Sequence, residues 1–297
     1  MNKTLAILGA PDPEMHAIED LLVTAGVQVA HAMADGRRVH PGNAYRADSR
    51  GGSYTPWREN PTELHTNLQN TVIWVECGPA DGSALETAFA GIKCISIDHH
   101  RPGDHGYGMP PANYWEASSI GQTAGLLGVN ATHHLLMVAA ADHCLAAAYR
   151  GECPGVDPDE LMRWRAESRA EFQRRPVADV MADVNAARRA LRDAPDILLA
   201  GHFEHYDFSE LTVVATAAQH AKDMRGRHVP ELPEAAAREG VCFVADLSPG
   251  PDGRRKTVCQ AGSPDQITAF KQWADREGLV DIYGDPARGF AGGYAEL

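Results

Sequence analysis

The sequence predicts an α/β protein in which a parallel-sheet domain is joined by a helical connector to a smaller α/β domain. Short β-branched runs alternate with helical stretches through the first half, which is the pattern of parallel strands linked by crossover helices. The chain has 297 residues, of which 44% are hydrophobic, enough to bury a core in one or two domains. A Pro and two Gly within Gly151–Gly155 then precede a highly charged helical stretch. We therefore place the first domain at residues 1–155, the connector at 156–190 and the smaller domain at 191–297.

The first domain divides into short apolar strands separated by helices. The predicted strands are Leu5–Leu8, Val27–Ala30, Thr71–Val75 and Lys93–Ile97. Apolar residues at helical spacing predict a helix at Met15–Ala25, and Gly82–Gly91 is long enough to contain one crossover helix.

A long polar stretch, residues 32–70, separates the second predicted strand from the third. Loops of this length are usually functional or disordered. Two interpretations stay open: a mobile surface excursion, or a lid whose arginines contact phosphate. The arginines of the stretch are Arg37, Arg38, Arg46, Arg50 and Arg58.

The second half begins with an apolar helical region, Val129–Tyr149, followed by the Pro and Gly break. Asp157 and Pro158 then suit the cap and the first position of a charged helix that runs to about Arg175. The smaller domain is expected to contain strands near Ile197–Leu199, Val241–Val244 and Thr257–Val258, a helix at Pro264–Glu277 and a Gly-rich end at Gly289–Tyr294.

The charge of the chain limits the partners it is expected to bind. With 27 Lys and Arg against 40 Asp and Glu, the net charge is −13, which argues against duplex DNA and anionic membranes as partners. The apolar stretch that follows Met1 is too short for a signal-peptide core, so we expect a cytoplasmic protein. The six cysteines form no CxxC motif, which favours reduced thiols over a disulfide or zinc framework.

Acidic residues and histidines follow the predicted strands. Glu76 and Asp98 each end a strand, and ligands of open parallel sheets bind beyond the carboxyl ends of the strands. Asp98 is followed directly by His99 and His100. One imidazole can ligate a divalent metal ion while the other faces substrate, and the acid can orient them by hydrogen bonding.

Other acids can converge on the same place. Asp12 and Glu14 follow the first strand, and Asp142 lies in the later apolar helical region. Together with Glu76 they could surround His99, so the sequence predicts a metal site at the carboxyl edge of the sheet.

The order and spacing of these residues resemble the DHH phosphoesterase superfamily, which includes inorganic pyrophosphatases, oligoribonucleases, cyclic-dinucleotide phosphodiesterases and RecJ-type exonucleases. Those proteins carry an HxxxDxD motif, a strand-ending Asp, the Asp-His-His that names them, a fourth Asp and a late Gly-rich motif. The corresponding stretches here are Leu8–Glu14, Glu76, Asp98–His100, Asp142 and Ala291–Tyr294. The resemblance covers nearly the whole chain.

The resemblance implies hydrolysis of phosphoester bonds by metal-activated water, in a cleft between the two domains. One or two Mn²⁺ or Mg²⁺ ions would bind, with Glu76 as the bridging ligand and Asp12 serving the first ion. His100, with Asp98, would act catalytically on the phosphoryl group. The second ion would take Glu14, His99 and Asp142, and the residues implied in substrate binding are Arg101, Arg288, Gly292 and Gly293.

The implied substrate is a small nucleotide or a short single-stranded oligonucleotide. A pyrophosphatase-like hydrolase stays open, as does a catalytically impaired nucleotide-binding module. The oligomeric state is open too, and a homodimer is compatible with the sequence.

The chain departs from the family pattern at its ends. Leu8 stands where the first motif has His, Glu14 and Glu76 replace Asp, and Tyr294 replaces the His of the Gly-rich motif. His16, on the same helical face as Asp12, could supply the missing imidazole, as could His143. The alternative for both is a partly buried or surface histidine without a ligand, which is the commoner case.

Overall fold

The computed structural model describes residues 4–51, 70–193, 214–215, 231–247 and 253–295. The chain divides into two compact units, Met1–Tyr107 with Trp115–Asp142, and Gly108–Tyr114 with His143–Leu297. The boundaries at residues 155 and 190, and a cleft between domains, stay predictions. The strand predicted near residues 197–199 lies outside the described residues.

The first unit is built on a mainly parallel sheet, which confirms the mixed α/β architecture. Its strands are β1 (Leu5–Leu8), β2 (Gln28–Ala34), β3 (Arg37–Arg38), β4 (Ser49–Gly51), β5 (Thr71–Val75) and β6 (Lys93–Ile97). Strands β2, β1, β5 and β6 run parallel in that order, and the short β3 and β4 pair antiparallel with β2.

The register of this sheet decides which residues meet at its carboxyl edge. Leu8 at the end of β1 lies opposite Val75 of β5, and Val75 lies opposite Ile97 of β6. Because the three strands are parallel, the residues that follow them, including Glu76 and Asp98, emerge side by side.

The helices described between and after these strands are α1 (Pro13–Thr24), α2 (Ala84–Ala88), α3 (Tyr114–Ala117), α4 (Ser119–Leu127) and α5 (His133–His143). Helix α1 begins two residues before its predicted start because Asp12 caps it and Pro13 suits its first position. Its buried face packs against α4. The predicted crossover helix is α2, which Ser83 caps.

Part of the polar stretch between the second and third predicted strands is regular structure rather than an excursion. β2 continues to Ala34, and β3 and β4 extend the sheet on its far side. Residues 52–69, which include Arg58, lie outside the described residues. The lid interpretation stays a prediction.

The single helical region predicted at Val129–Tyr149 is wrong in detail. The helix begins at His133 and breaks at Cys144, where the backbone leaves helical angles (φ −155°, ψ 54°). A short helix, α6 (Leu145–Tyr149), then follows. No Pro or Gly marks the break, so helical periodicity could not locate it.

The second unit combines helices with a second sheet. The strands described there are β7 (Val214–Ala215), β8 (Phe243–Leu247), β9 (Lys256–Gln260), β10 (Val280–Asp285) and β11 (Phe290–Tyr294). Their order is β10-β11-β9-β8-β7, antiparallel except between β7 and β8. Its further helices are α7 (Pro158–Gln173), α8 (Val177–Asp193), α9 (Leu232–Glu239) and α10 (Pro264–Arg276).

Three apolar clusters hold the described part of this unit together. One joins β8, β9 and β11 to α10 through Ile267, Phe270 and Trp273, and another joins Val258 to α8 and α9. The third joins α7 to α8 through Ala166, Ala170 and Val180.

The charged face of α7 pairs with α9 and its cap. Arg165 forms a bidentate pair with the buried Glu234, donating from Nε to Oε1 at 2.9 Å and from its terminal nitrogen to Oε2 at 2.8 Å, and Arg169 pairs with Glu231. The charges of the predicted connector therefore have a structural role in this unit.

Two further expectations concern membrane-spanning helices and the cysteines. Among the residues described, none of the helices combines the length and apolar character needed to cross a bilayer. All six cysteines are free thiols; five of them are buried, and Cys94 on β6 is exposed.

Candidate metal centre

At the carboxyl edge of the parallel sheet, the backbone that follows β1 passes very close to the backbone that follows β5. Glu76, directly after β5, has a left-handed backbone (φ 50°), and its N–H donates to the carbonyl of Ile97 at 3.0 Å. A Cβ at Gly9 would lie 2.5 Å from the Glu76 carbonyl oxygen, so only glycine fits after β1. Backbone strain of this kind is typically maintained at functional sites, and here it places the Glu76 side chain at the edge of the sheet.

Four side chains converge at this edge: Glu14, Glu76, His99 and Asp142. Each offers one ligand atom, and these atoms all lie within 4.8 Å of one another. His99 is fully buried, with Nε2 at 3.4 Å from Oε1 of Glu76 and 3.1 Å from Oδ2 of Asp142. A second group, which shares two members, consists of Glu76, His99 and His100. The arrangement could bind a metal ion.

Glu14 enters the centre from the first turn of α1. Its Oε1 accepts a hydrogen bond from the backbone N–H of Ile120, at the start of α4, at 2.9 Å. Its Oε2 is buried and has no hydrogen-bond partner within the described part of the chain. Leaving a buried carboxylate oxygen unpaired is costly, and a cation would satisfy it.

The carboxylates of the centre destabilise one another's charged forms. Burial raises the pKa of Glu14 well above 4.5, and the nearby Asp142 and Glu76 add to the effect. Burial also raises the pKa of Glu76 to about 8, opposed by His100 and assisted by Asp142. The pKa of Asp12 rises to about 6 from burial and from the charge of Asp142. A divalent cation would reverse these shifts, because it stabilises ionised carboxylates.

Asp98 holds the two histidines rather than joining either group of donors. Its Oδ1 accepts from the backbone N–H of His99 at 2.7 Å, from that of His100 at 3.1 Å, and pairs with Nδ1 of His100 at 2.9 Å. Its Oδ2 accepts from the hydroxyl of Tyr45 at 2.6 Å. Burial would raise the pKa of Asp98, but the bonds from His100 and Tyr45 hold it well below its usual range.

The loop after Asp98 is fixed by close packing. Gln122 donates from Nε2 to the carbonyl of Asp98 at 3.0 Å and to that of Ala117 at 2.8 Å. A Cβ at Gly106 would lie 1.9 Å from the Ala117 carbonyl oxygen and 2.6 Å from Cβ of His99, so glycine is required there. The position of His99 therefore depends on both sides of its loop.

Three residues predicted for the first ion, or as substitutes for its missing ligand, lie outside both groups of converging donors. Asp12 caps α1, with Oδ1 accepting from the N–H of Met15 at 2.7 Å. His16 is exposed, and His143 is buried at the end of α5. Leu8, at the position where the resemblance leads one to expect a His, is fully buried. Ligand roles for Asp12, His16 and His143 stay predictions.

The residues predicted to bind substrate are found in varied settings. The guanidinium carbon of Arg101 lies 3.3 Å from the ring centroid of Tyr45, in a cation–π contact. Arg288 is buried, and its Nε donates to the carbonyl of His143 at 2.7 Å. Gly292 and Gly293 lie within β11. Their contacts with a substrate stay predictions.

Sequence reasoning did not find Tyr45 and Gln122. Tyr45 lies in the polar stretch before Thr71, and 53 residues separate it from Asp98. Gln122 lies within α4 and contacts carbonyl groups rather than a neighbouring side chain. No local pattern marks either residue.

The donor set of three carboxylates and one imidazole suits hard or borderline divalent cations, and it leaves the identity of the metal open. No protein-family model matches the chain, and no curated protein matches it with significant similarity.

Proposed function

We propose that this protein is a metal-dependent phosphoesterase, similar to the DHH superfamily, that hydrolyses small nucleotides or short oligonucleotides with metal-activated water. The observation that carries the proposal is the convergence of Glu14, Glu76, His99 and Asp142 within 4.8 Å at the edge of the sheet. The resemblance assigns Glu14, His99 and Asp142 to its second ion, and Glu76 to the bridge between that ion and the first. These four residues come from four separate parts of the chain, so local sequence alone does not bring them together.

The donors support one divalent ion, Mn²⁺ or Mg²⁺, rather than two. The first ion of the family would need an imidazole at position 8, where the chain has a fully buried leucine. Asp12, its other predicted ligand, caps α1 through Oδ1. The four remaining donors provide an acidic set with one nitrogen, which these cations accept.

The protein's own groups would hold and orient the substrate beside the ion. When bound, a divalent ion supplies Lewis-acid stabilisation of phosphoryl oxygens and an activated water. His100, held through Nδ1 by Asp98 at 2.9 Å, can present its other ring nitrogen to a phosphoryl oxygen. Arg101, beside His100 in the chain, adds a positive charge for the same anion.

The size of the substrate follows from electrostatics. A net charge of −13 opposes binding along many phosphates of a duplex, while a short substrate can be held locally by the ion and a few basic groups. We therefore favour substrates of one to a few nucleotides.

The experiment that tests this function is hydrolysis by the full chain, loaded with Mn²⁺, of three probes. These are bis(p-nitrophenyl) phosphate, p-nitrophenyl phosphate and the dinucleotide pApA, each also assayed after EDTA treatment and dialysis. We expect Mn²⁺-dependent release of product that EDTA abolishes and added Mn²⁺ restores, because the activated water depends on the ion. Turnover of only the diester probe, or of only the monoester probe, would identify the type of phosphoester bond that is cleaved. Absence of turnover with all three probes would contradict the proposal.

A nucleotide-binding module is the second candidate, and the buried Leu8 favours it, since a missing ligand weakens a two-ion mechanism. It predicts that pApA binds, measured by isothermal titration calorimetry with Mn²⁺ present, and remains intact after prolonged incubation. The phosphoesterase predicts cleavage under the same conditions.

A further inference from the structure

Tyr45 reaches the site from a segment that sequence patterns did not connect with it. Its hydroxyl donates to Oδ2 of Asp98 at 2.6 Å, and both residues belong to the first unit. Within the described part of the chain this is the hydrogen bond that Oδ2 accepts, whereas Oδ1 binds the His99 and His100 groups. The Asp98 carboxylate is thus held from both sides.

The segment that carries Tyr45 is pinned to the loop that follows Glu76. The N–H of Gly78 donates to the carbonyl of Ala44 at 3.1 Å, and the N–H of Ala47 donates to the carbonyl of Gly78 at 3.1 Å. The N–H of Ala80 donates to Ala47 at 2.8 Å. Tyr45 also packs against the apolar cluster that contains Ile7 and Trp74. These backbone hydrogen bonds therefore fix the position of the Tyr45 hydroxyl.

The chemistry of Asp98 explains what this hydroxyl can do. An ionised carboxylate that accepts from Nδ1 of His100 keeps a proton on that nitrogen and fixes the plane of the ring. Rotation of the carboxylate would release the ring, and the Tyr45 hydrogen bond opposes that rotation. When a residue that orients a metal-site side chain is mutated, metal affinity or activity typically falls by roughly 10- to 100-fold.

We propose that Tyr45 is a positioning residue of this centre: its hydroxyl fixes the Asp98 carboxylate, which orients His100 toward a phosphoryl group. The role in turnover rests on the proposed phosphoesterase function. Tyr45 acts through Asp98 and does not itself need to contact the substrate. Its ring has a separate role, since it supports the guanidinium of Arg101 at 3.3 Å.

The test variant is Tyr45→Phe, which removes the hydroxyl and retains the ring, its packing and the Arg101 contact. The matched control is Tyr114→Phe, which removes a buried hydroxyl that donates to the carbonyl of Pro154 at 2.9 Å, outside the metal centre. In Tyr45→Phe we expect kcat for bis(p-nitrophenyl) phosphate to fall by about 10- to 100-fold. We expect Mn²⁺ stoichiometry to be unchanged, KM to change by less than about threefold, and the control to keep wild-type kcat.

A double-mutant cycle shows whether Tyr45 acts through His100. In a His100→Ala background, removal of the Tyr45 hydroxyl should cost no further activity, because the group it orients is gone. An undiminished loss of kcat in that background would overturn the proposal.

Imidazole ¹⁵N NMR gives a readout that does not need turnover. With Mg²⁺ as the diamagnetic ion and His100→Gln to assign the signals, the wild type should show the Nδ1–H form of His100. Tyr45→Phe should shift both ring nitrogens toward averaged tautomers, while Tyr114→Phe leaves them in place. Unchanged His100 nitrogens in Tyr45→Phe would overturn the proposal.

The two proposals can fail separately. A wild type that is inactive on every probe contradicts the phosphoesterase, and the NMR comparison then still decides whether Tyr45 orients His100. A wild type that is active, with Tyr45→Phe at equal kcat, overturns the positioning role and leaves the phosphoesterase standing.

Discussion

The His99→Gln variant is expected to lose tight Mn²⁺ binding and to lower Mn²⁺-dependent hydrolysis by about a thousandfold or more, since activation of the water depends on the ion. His99 is at the centre of the donors, with Nε2 at 3.4 Å from Glu76 and 3.1 Å from Asp142. Glutamine retains polar character in a fully buried position and can hydrogen-bond to the carboxylates, so the fold is expected to persist. Calorimetric titration with Mn²⁺ and turnover of bis(p-nitrophenyl) phosphate measure the two effects.

A matched control for this change is His31→Gln. His31 lies on β2 of the same sheet, and its Nε2 is 3.2 Å from Oε2 of Glu19, so it too pairs with a carboxylate. It belongs to neither group of converging donors among the residues described. We expect wild-type Mn²⁺ affinity and rate in His31→Gln. If His99→Gln also kept both within about threefold, as a residue outside the reacting centre would, His99 would not be a metal ligand.

Glu76→Gln is expected to have opposite effects on stability and on metal binding. In the metal-free protein at pH 7 it should raise the free energy of unfolding by on the order of 2 to 3 kcal/mol. The reason is that burial raises the pKa of Glu76 from 4.5 to about 8. At neutral pH the carboxyl is ionised in the unfolded chain, and folding must either protonate it or bury its charge, which lowers the free energy of unfolding. An uncharged amide carries no such cost.

The pH range of this effect follows from the two pKa values. A carboxyl whose pKa is raised on folding costs nothing well below pH 4.5, and its cost grows until the pH passes its folded value of about 8. Metal-free wild type should therefore lose stability relative to Glu76→Gln as the pH rises across this window. Near the lower limit the two proteins should become equally stable.

Bound Mn²⁺ should reverse the order. An ion present at a hundred times its Kd stabilises the folded protein by about 2.7 kcal/mol, and Glu76→Gln, having lost a ligand, should gain little of this. Urea denaturation at several pH values, with EDTA or with Mn²⁺, measures both effects. The exposed Glu116 provides the control variant Glu116→Gln, for which we expect a small change in either condition. A metal-free Glu76→Gln protein less stable than wild type at pH 8 would contradict the cost argued here for ionising the buried Glu76 carboxyl.

The sequence was most informative where acidic residues and histidines directly follow buried strands. β1 and β5 are short apolar runs because parallel strands are covered on both faces, and their bounds are as predicted. Parallel pairing brings their carboxyl ends together, so acids after the strands could be assigned to one edge. Glu76 and His99 were expected to meet on this argument, and they do.

Contacts between distant segments were beyond sequence patterns. Tyr45 lies in a polar stretch with no periodicity, and its position depends on backbone hydrogen bonds to Gly78. β3 and β4 are two and three residues long, too short to produce an alternating pattern.

Some residues fit two roles equally well until the geometry is known. Asp12 before Pro13 is a suitable metal ligand and also a suitable helix cap, and its Oδ1 takes the cap role. Ser118, at another junction before a helix, likewise caps α4, its hydroxyl accepting from the N–H of Gly121. Short polar side chains at strand–helix junctions serve both purposes, so residue type does not separate them.

The number of metal ions bound per chain addresses the proposed centre most directly. Purified protein would be loaded with Mn²⁺, freed of excess by buffer exchange and measured by elemental analysis against protein concentration from amino-acid analysis, with His99→Gln beside it. We expect one Mn²⁺ per chain in the wild type and none in the variant, because Glu14, Glu76, His99 and Asp142 form one set of donors. A wild type that retains no Mn²⁺, or a variant that retains as much as the wild type, would contradict the assignment of this cluster as a metal centre.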